Sequence, residues 1–170
     1  FKVFDDGVGF RYEFPKQKDI NHFIVSEERT EFHLTGNHKA FWIPGDYDSN
    51  EFSPNVTSLE EVNGEDPKYA ASIFAHQFFN KDAVQTPLML KTKDGLYINI
   101  HEAALVNYPA MNLLIDKSNY NLSSVLVPDA LGNMAYLQTP AKTPWRSIIV
   151  SDRATDILAS HTILNLNEPS

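Results

Sequence analysis

The 170-residue sequence predicts an all-β fold, mainly antiparallel, with one or two short helices. Two observations carry that prediction. Short runs rich in aromatic and β-branched residues recur along the chain, divided by Gly, Asp, Asn and Pro, which is the pattern of strands joined by turns. In addition, Lys93-Asp94-Gly95 separates two such runs, and Asp-Gly is a favoured two-residue hairpin turn in which both central positions need positive φ.

Taken in order, Phe1-Lys2-Val3-Phe4 opens the chain as an apolar, strand-like run. Strands are expected at Gly9 to Phe14, Asn21 to Val25, Glu31 to Leu34, Lys39 to Ile43 and Ser72 to Phe79. Further strands are expected at Pro87 to Lys91, Leu96 to Ala104, Met111 to Ile115 and Arg146 to Val150. A hairpin near residues 88–103 is the most strongly marked local feature. The Asp152 carboxylate is suited to accept from exposed backbone N–H groups, so it is expected to cap a short helix from Arg153 to Ala159. Gly45 to Tyr69 carries Pro, Asn, Ser, Asp and Glu without periodicity and reads as an irregular insert. No repeat or linker divides the chain, so residues 1–170 are expected to form one domain.

Composition narrows the function. The apolar share of 42% and charged share of 21% are those of a globular domain, with no run that would span a membrane. A net charge of -8 argues against nucleic acid, whose phosphates require a basic surface, and leaves sugars and metal ions open. The absence of cysteine removes disulfides, thiolate metal sites and a cysteine nucleophile. There is no Gly-x-Ser-x-Gly, phosphate loop or His-Glu-x-x-His, and the six histidines are dispersed.

Two constellations remain. His101 and Glu102 end an expected strand, where alternation aims them at opposite faces of the sheet. A carboxylate on so apolar a strand is expensive to bury unless paired, which calls for a cation, an arginine or a metal; the bland alternative is a rim glutamate in water. Pro44-Gly45-Asp46-Tyr47-Asp48-Ser49-Asn50-Glu51 gathers oxygen side chains of the kind that bind hard cations, but it lacks the order of an EF-hand loop and such clusters are usually solvated turns. No acid pair is placed by sequence across a cleft for glycoside hydrolysis. Trp42, Trp145 and the other aromatics are candidates for sugar stacking, with the interior claiming most of them.

Several runs together resemble the N-terminal domain of glycoside hydrolase family 97: Val3 to Tyr12 (VFDDGVGFRY), Trp42 to Tyr47 (WIPGDY) and Ile100 to Leu105 (IHEAAL). Thr143 to Arg146 and Leu164 to Pro169 add to the likeness, which spans nearly the whole chain in order. The resemblance implies a β-supersandwich similar to that of galactose mutarotase, preceding a catalytic (β/α)₈ barrel and a C-terminal β-domain. It implies a periplasmic α-glycosidase acting on α-linked glucose oligosaccharides, with this chain a non-catalytic part that grips the barrel in cis. Glu102 looks like the glutamate this domain lends to an active-site calcium; one such ligand would leave calcium binding by the chain alone weak or absent. His101, Asp46, Tyr47 and Asp48 are the residues implied to approach substrate. The family domain begins upstream of Phe1, so unpaired sheet edges are expected. Two rivals stand beside this reading. One is an independent carbohydrate-binding module with an aromatic groove of its own; the other is a mutarotase-like enzyme using His76, His101 and Glu102.

Overall fold

The computed structural model describes residues 1–69 and 77–168. Its strands are short, and each is set by alternation. The larger sheet takes β1 (Lys2–Phe4), β2 (Gly7–Phe10), β6 (Lys39–Trp42), β7 (Asn55–Ser58), β9 (Leu88–Lys91), β10 (Tyr97–Ala103) and β15 (Trp145–Ser151). Its seven strands run in the order β1-β2-β15-β10-β9-β6-β7, with every pairing antiparallel. A four-stranded sheet, β5-β12-β11-β8, uses β5 (Glu31–His33), β8 (Ala83–Gln85), β11 (Met111–Asp116) and β12 (Asn121–Leu126). Among the described residues there are also two ribbons: β4 (His22–Val25) with β13 (Ala135–Gln138), and β3 (Glu13–Phe14) with β14 (Ala141–Lys142).

The two sheets bury one core between them. Leu88 and Leu90 of β9, Ile100 of β10, Leu113 of β11 and Leu122 of β12 are all essentially without exposure, and each sits two residues from another inward-facing position. That period of two is what lets a strand commit one face to the core. A smaller cluster of Ala103, Trp145 and Leu166 lies on the opposite face of the larger sheet. There α2 (Thr162–Leu166) rests on β2, β10 and β15, following α1 (Ala154–Ala159).

The all-β, antiparallel expectation holds, with two short helices among the described residues. Several local expectations need correction. Gly9 to Phe14 is two strands, broken at Arg11 and Tyr12, because the second half leaves the sheet to pair with β14. The 88–103 hairpin forms, with Lys91 opposite Tyr97, but its loop is not a two-residue turn. Gly95 N–H donates to Thr92 O at 3.1 Å and Thr92 N–H to Leu96 O at 2.8 Å, and Gly95 has φ +96° while Asp94 is not at positive φ. This is a turn closed by one left-handed glycine. Arg153, not Asp152, occupies the α1 N-cap, with no side-chain capping bond. The stretch from Gly45 to Tyr69 contains a true strand, β7, whose Val56 lies opposite Phe41. Most of the expected strand Ser72 to Phe79 lies outside the described residues, as does His76.

Candidate functional site

Ile98, Ile100 and Glu102 share one face of β10, and Ile100 is 1% exposed in the core. Alternation therefore carries Glu102 inward at the rung where the apolar core ends. Directly opposite, β15 places Arg146 across from Glu102, just as Ile148 lies across from Ile100. The guanidinium is fully buried, and Glu102 is only 7% exposed.

Arg146 is held by two carboxylates. Its Nε donates to Glu28 Oε1 at 2.8 Å and its Nη2 to Glu28 Oε2 at 2.7 Å, a bidentate pair reaching from the segment before β5. Its Nη1 donates to Glu102 Oε1 in a short contact. Glu28 also accepts from Thr30 Oγ1 at 2.7 Å and from the Tyr108 hydroxyl at 3.0 Å. Glu102 Oε2 accepts from the Met111 N–H at 3.1 Å and Thr86 Oγ1 at 3.2 Å. Burial pushes the Glu28 carboxyl upward, but the bonds and charge of Arg146 outweigh that and hold it below the ordinary carboxylate range. Burial pulls the Arg146 guanidinium down, and its paired carboxylates more than reverse this. Burial, reinforced by Glu28, raises the Tyr108 phenol well above its ordinary value. With all three charged groups ionised, two carboxylates against one guanidinium leave an excess of one negative charge.

Glu102 forms part of the wall of a cavity of about 610 Å³ at the end of the sandwich. Asp46, Tyr47, Asp48 and His101 line the same cavity, so the five residues singled out in the sequence converge there. Alternation does separate His101 from Glu102, yet both reach the cavity because it opens where the strand ends. Burial pushes the His101 imidazole below its ordinary value, so it enters as a neutral ring. His101 Nδ1 has no hydrogen-bond partner.

The loop from Pro44 is pinned rather than loose. Gly45 N–H donates to Ala83 O at 2.8 Å, and a Cβ on Gly45 would meet the Ala83 Cβ at 2.5 Å, so only glycine permits this approach to β8. Gln85 Nε2 donates to Pro44 O at 2.9 Å and to Ser49 O at 2.7 Å. Asn112 Oδ1 accepts from the Asp46 N–H at 3.3 Å. Asp46 is not a solvated turn residue: it is 4% exposed, and its Oδ1 accepts from the Asp48 and Ser49 N–H groups at 2.8 Å each. Among the described residues, its Oδ2 has no hydrogen-bond partner. Tyr47 stacks on Phe79 with ring centroids 4.5 Å apart and planes 3° from parallel.

Among the described residues, no group of three or more His, Cys, Asp or Glu side chains is placed to hold a metal. The donors nevertheless suit a hard cation as a single contribution. Glu102 carries three hydrogen bonds on a group with about four acceptor positions, so one remains at the cavity wall. A calcium ion takes about 6–8 oxygens, and the others would come from beyond these residues.

Sequence reasoning foresaw arginine as one possible partner of Glu102 but named neither Arg146 nor Glu28, Thr86 and Asn112. Arg146 stands 44 residues from Glu102 and Glu28 118 residues from Arg146. The available signal was a charged residue in the mostly apolar strand run Trp145-Arg146-Ser147-Ile148-Ile149-Val150.

Past Glu102 the chain turns sharply. Ala104 and Asn107 hold φ of +54° and +52°, and between them Leu105 and Val106 are 44% and 70% exposed. Left-handed non-glycine residues carry a cost and gather at functional turns.

Comparison with known proteins follows the same lines. A family model described as Glycosyl-hydrolase 97 N-terminal matches residues 1–169. A glycoside hydrolase family 97 enzyme from Pseudoalteromonas sp. strain K8, solved in complex with acarbose, is 37% identical with a TM-score of 0.80; the match covers 98% of this chain and 22% of that enzyme. A variant of that enzyme, solved with panose, matches with the same figures. A beta-arabinopyranosidase, 19% identical over 88% of this chain and 24% of its own, has a TM-score of 0.64, a likeness of fold alone. The chain thus spans about a fifth of the family 97 enzyme's length. No helix among the described residues is long and apolar enough to cross a membrane.

Proposed function

The chain belongs to the glycosyl-hydrolase 97 N-terminal family, and from that premise we propose that it is the non-catalytic N-terminal domain of a periplasmic α-glycosidase acting on starch-derived α-glucosides. In this reading it docks on a catalytic barrel of the same polypeptide and lends Glu102 as one oxygen ligand to a calcium ion there. The observation that carries the reading is the shared cavity, whose wall joins Glu102, His101, Asp46, Tyr47 and Asp48. Acarbose and panose bound to family 97 structures support the substrate class. The exposed Leu105 and Val106, fixed beside Glu102 by two left-handed residues, supply an apolar contact for the barrel.

Each residue has a physical task. A bound calcium supplies concentrated positive charge that polarises substrate oxygens. Glu102 offers a pre-oriented oxygen from a strand rather than a loop. The Tyr47 ring, backed by Phe79, presents a flat apolar face to the C–H side of a sugar. The unpartnered Asp46 Oδ2 is an acceptor for a hydroxyl donor. Protonation of the leaving oxygen falls to barrel carboxylates, since Glu28 and Glu102 are committed to Arg146 and Asp46 holds the Asp48 and Ser49 N–H groups.

Calorimetric titration of calcium, then acarbose, into the full-length protein and into this 170-residue chain tests the reading. The full-length protein is expected to bind calcium and to lose more than about 10-fold in affinity on Glu102→Gln. The chain alone is expected to bind calcium feebly and to leave an aryl α-glucoside intact. Turnover by the chain alone, abolished by Glu102→Gln, would overturn it. An independent carbohydrate-binding module is the second reading, favoured by the Tyr47–Phe79 stack. That platform shares its cavity with Glu102, however, instead of occupying a groove of its own. Acarbose binding by the chain alone, unchanged by Glu102→Gln, would select the module.

A further inference from the structure

Behind the wall of this cavity, neither Arg146 nor Glu28 belongs to its lining, and they are buried to 0% and 9% exposure. A ligand in the cavity cannot reach them. Whatever they do for it passes through Glu102.

We infer that Arg146 and Glu28 are positioning residues that fix the plane and charge of the Glu102 carboxylate for a cation in the cavity. The inference rests on the proposed calcium role of Glu102. The geometry is that of a clamp with two jaws. Glu28 takes Nε and Nη2 of Arg146 at 2.8 and 2.7 Å, which sets the plane of the guanidinium. With that plane set, Nη1 meets Glu102 Oε1 from one side. The Met111 N–H and Thr86 Oγ1 hold Oε2 from the other, at 3.1 and 3.2 Å. The carboxylate can then neither swing nor rotate, and its uncommitted acceptor position keeps one orientation.

Glu28 also decides the charge. An isolated Arg146–Glu102 pair would be neutral and would offer a cation little; the second carboxylate restores one excess negative charge behind the wall. Tyr108 and Thr30 keep Glu28 in place by donating to its two oxygens, at 3.0 and 2.7 Å. Lysine at position 146 would preserve charge but not a fork able to grip two carboxylates at once.

The test is calcium titration by calorimetry on the full-length protein as wild type, Glu102→Gln, Arg146→Lys and Glu28→Gln, with calcium-free thermal melts of each. Outer partners of metal ligands are worth about 10- to 100-fold in affinity, and Arg146→Lys and Glu28→Gln are each expected to weaken calcium binding by that factor. Thr57→Val serves as the stability control. It removes the buried bond from Trp42 Nε1 to Thr57 Oγ1, 3.0 Å, at the sheet edge; it should lower the melting temperature while leaving calcium affinity unchanged. If Glu102→Gln weakens binding but Glu28→Gln and any folded Arg146→Lys bind calcium as wild type does, the clamp is refuted and the calcium reading stands. If wild type binds no calcium, or Glu102→Gln binds it equally well, both fall.

Discussion

Two neighbouring rungs of one strand pair face the same interior and have opposite chemistry. Ile100 lies opposite Ile148, and two residues on, Glu102 lies opposite Arg146. The first rung joins an apolar core that needs no specific partner, because hydrophobic burial is proportional to area and has no direction. The second is stable only because every charge has a named partner, since a buried ion that loses its counterion keeps the full desolvation cost. Stability can therefore be spread through the middle of the sandwich, while at its cavity end it hangs on single residues. That end is also where the cavity-lining groups sit.

Variants that exchange the rules of the two regions sharpen the contrast. The largest loss is expected from Arg146→Met, which leaves Glu28 and Glu102 buried without their cation. Urea unfolding should show a loss of about 3–5 kcal/mol, with the Glu28 carboxyl driven towards protonation. Leu90→Ala in the apolar middle should cost about 2–5 kcal/mol, set by the space left between β9 and its neighbours. Unlike Arg146→Met, it should not change how stability depends on pH.

The acid side offers the next test. The Glu28 carboxyl is held below its ordinary range in the folded chain, so its contribution is complete above the unfolded glutamate value and is lost as pH falls through the lower folded value. Unfolding free energy measured across the acid range should therefore decline as pH drops below the ordinary glutamate region, and Glu28→Gln should flatten that decline. An unaltered slope in Glu28→Gln would place the acid sensitivity elsewhere. The smallest effect is expected remote from both regions: Gly95→Ala, at φ +96° in the β9–β10 loop, should cost about 1 kcal/mol in thermal unfolding.

Much of this molecule was legible before its structure. Alternation marked β9, β10 and β11, and Gly95 marked the hairpin, because these signals are local and a strand exposes its two faces in period two. The same logic overlooked β12, whose Asn121-Leu122-Ser123-Ser124-Val125-Leu126 alternates in burial but reads polar. Its buried serine, Ser124, is tolerated inside because it finds a partner, its Oγ donating to Glu28 O at 2.6 Å. It also overlooked β7, hidden in a polar stretch at the sheet edge.

The sequence by itself determined the all-β class, the strand-end position of Glu102, and the need for a partner if its carboxylate were buried. The family motifs added the expectation that Asp46, Tyr47, Asp48 and His101 approach substrate. Only the tertiary structure decided that the partner is Arg146, that Glu28 anchors it from 118 residues away, and that all five candidate residues meet around one cavity. The physical reason is register. Which residue stands opposite Glu102 depends on how β10 and β15 align, and that alignment is fixed jointly by the inward faces of both sheets rather than by any residue near Glu102 in the chain.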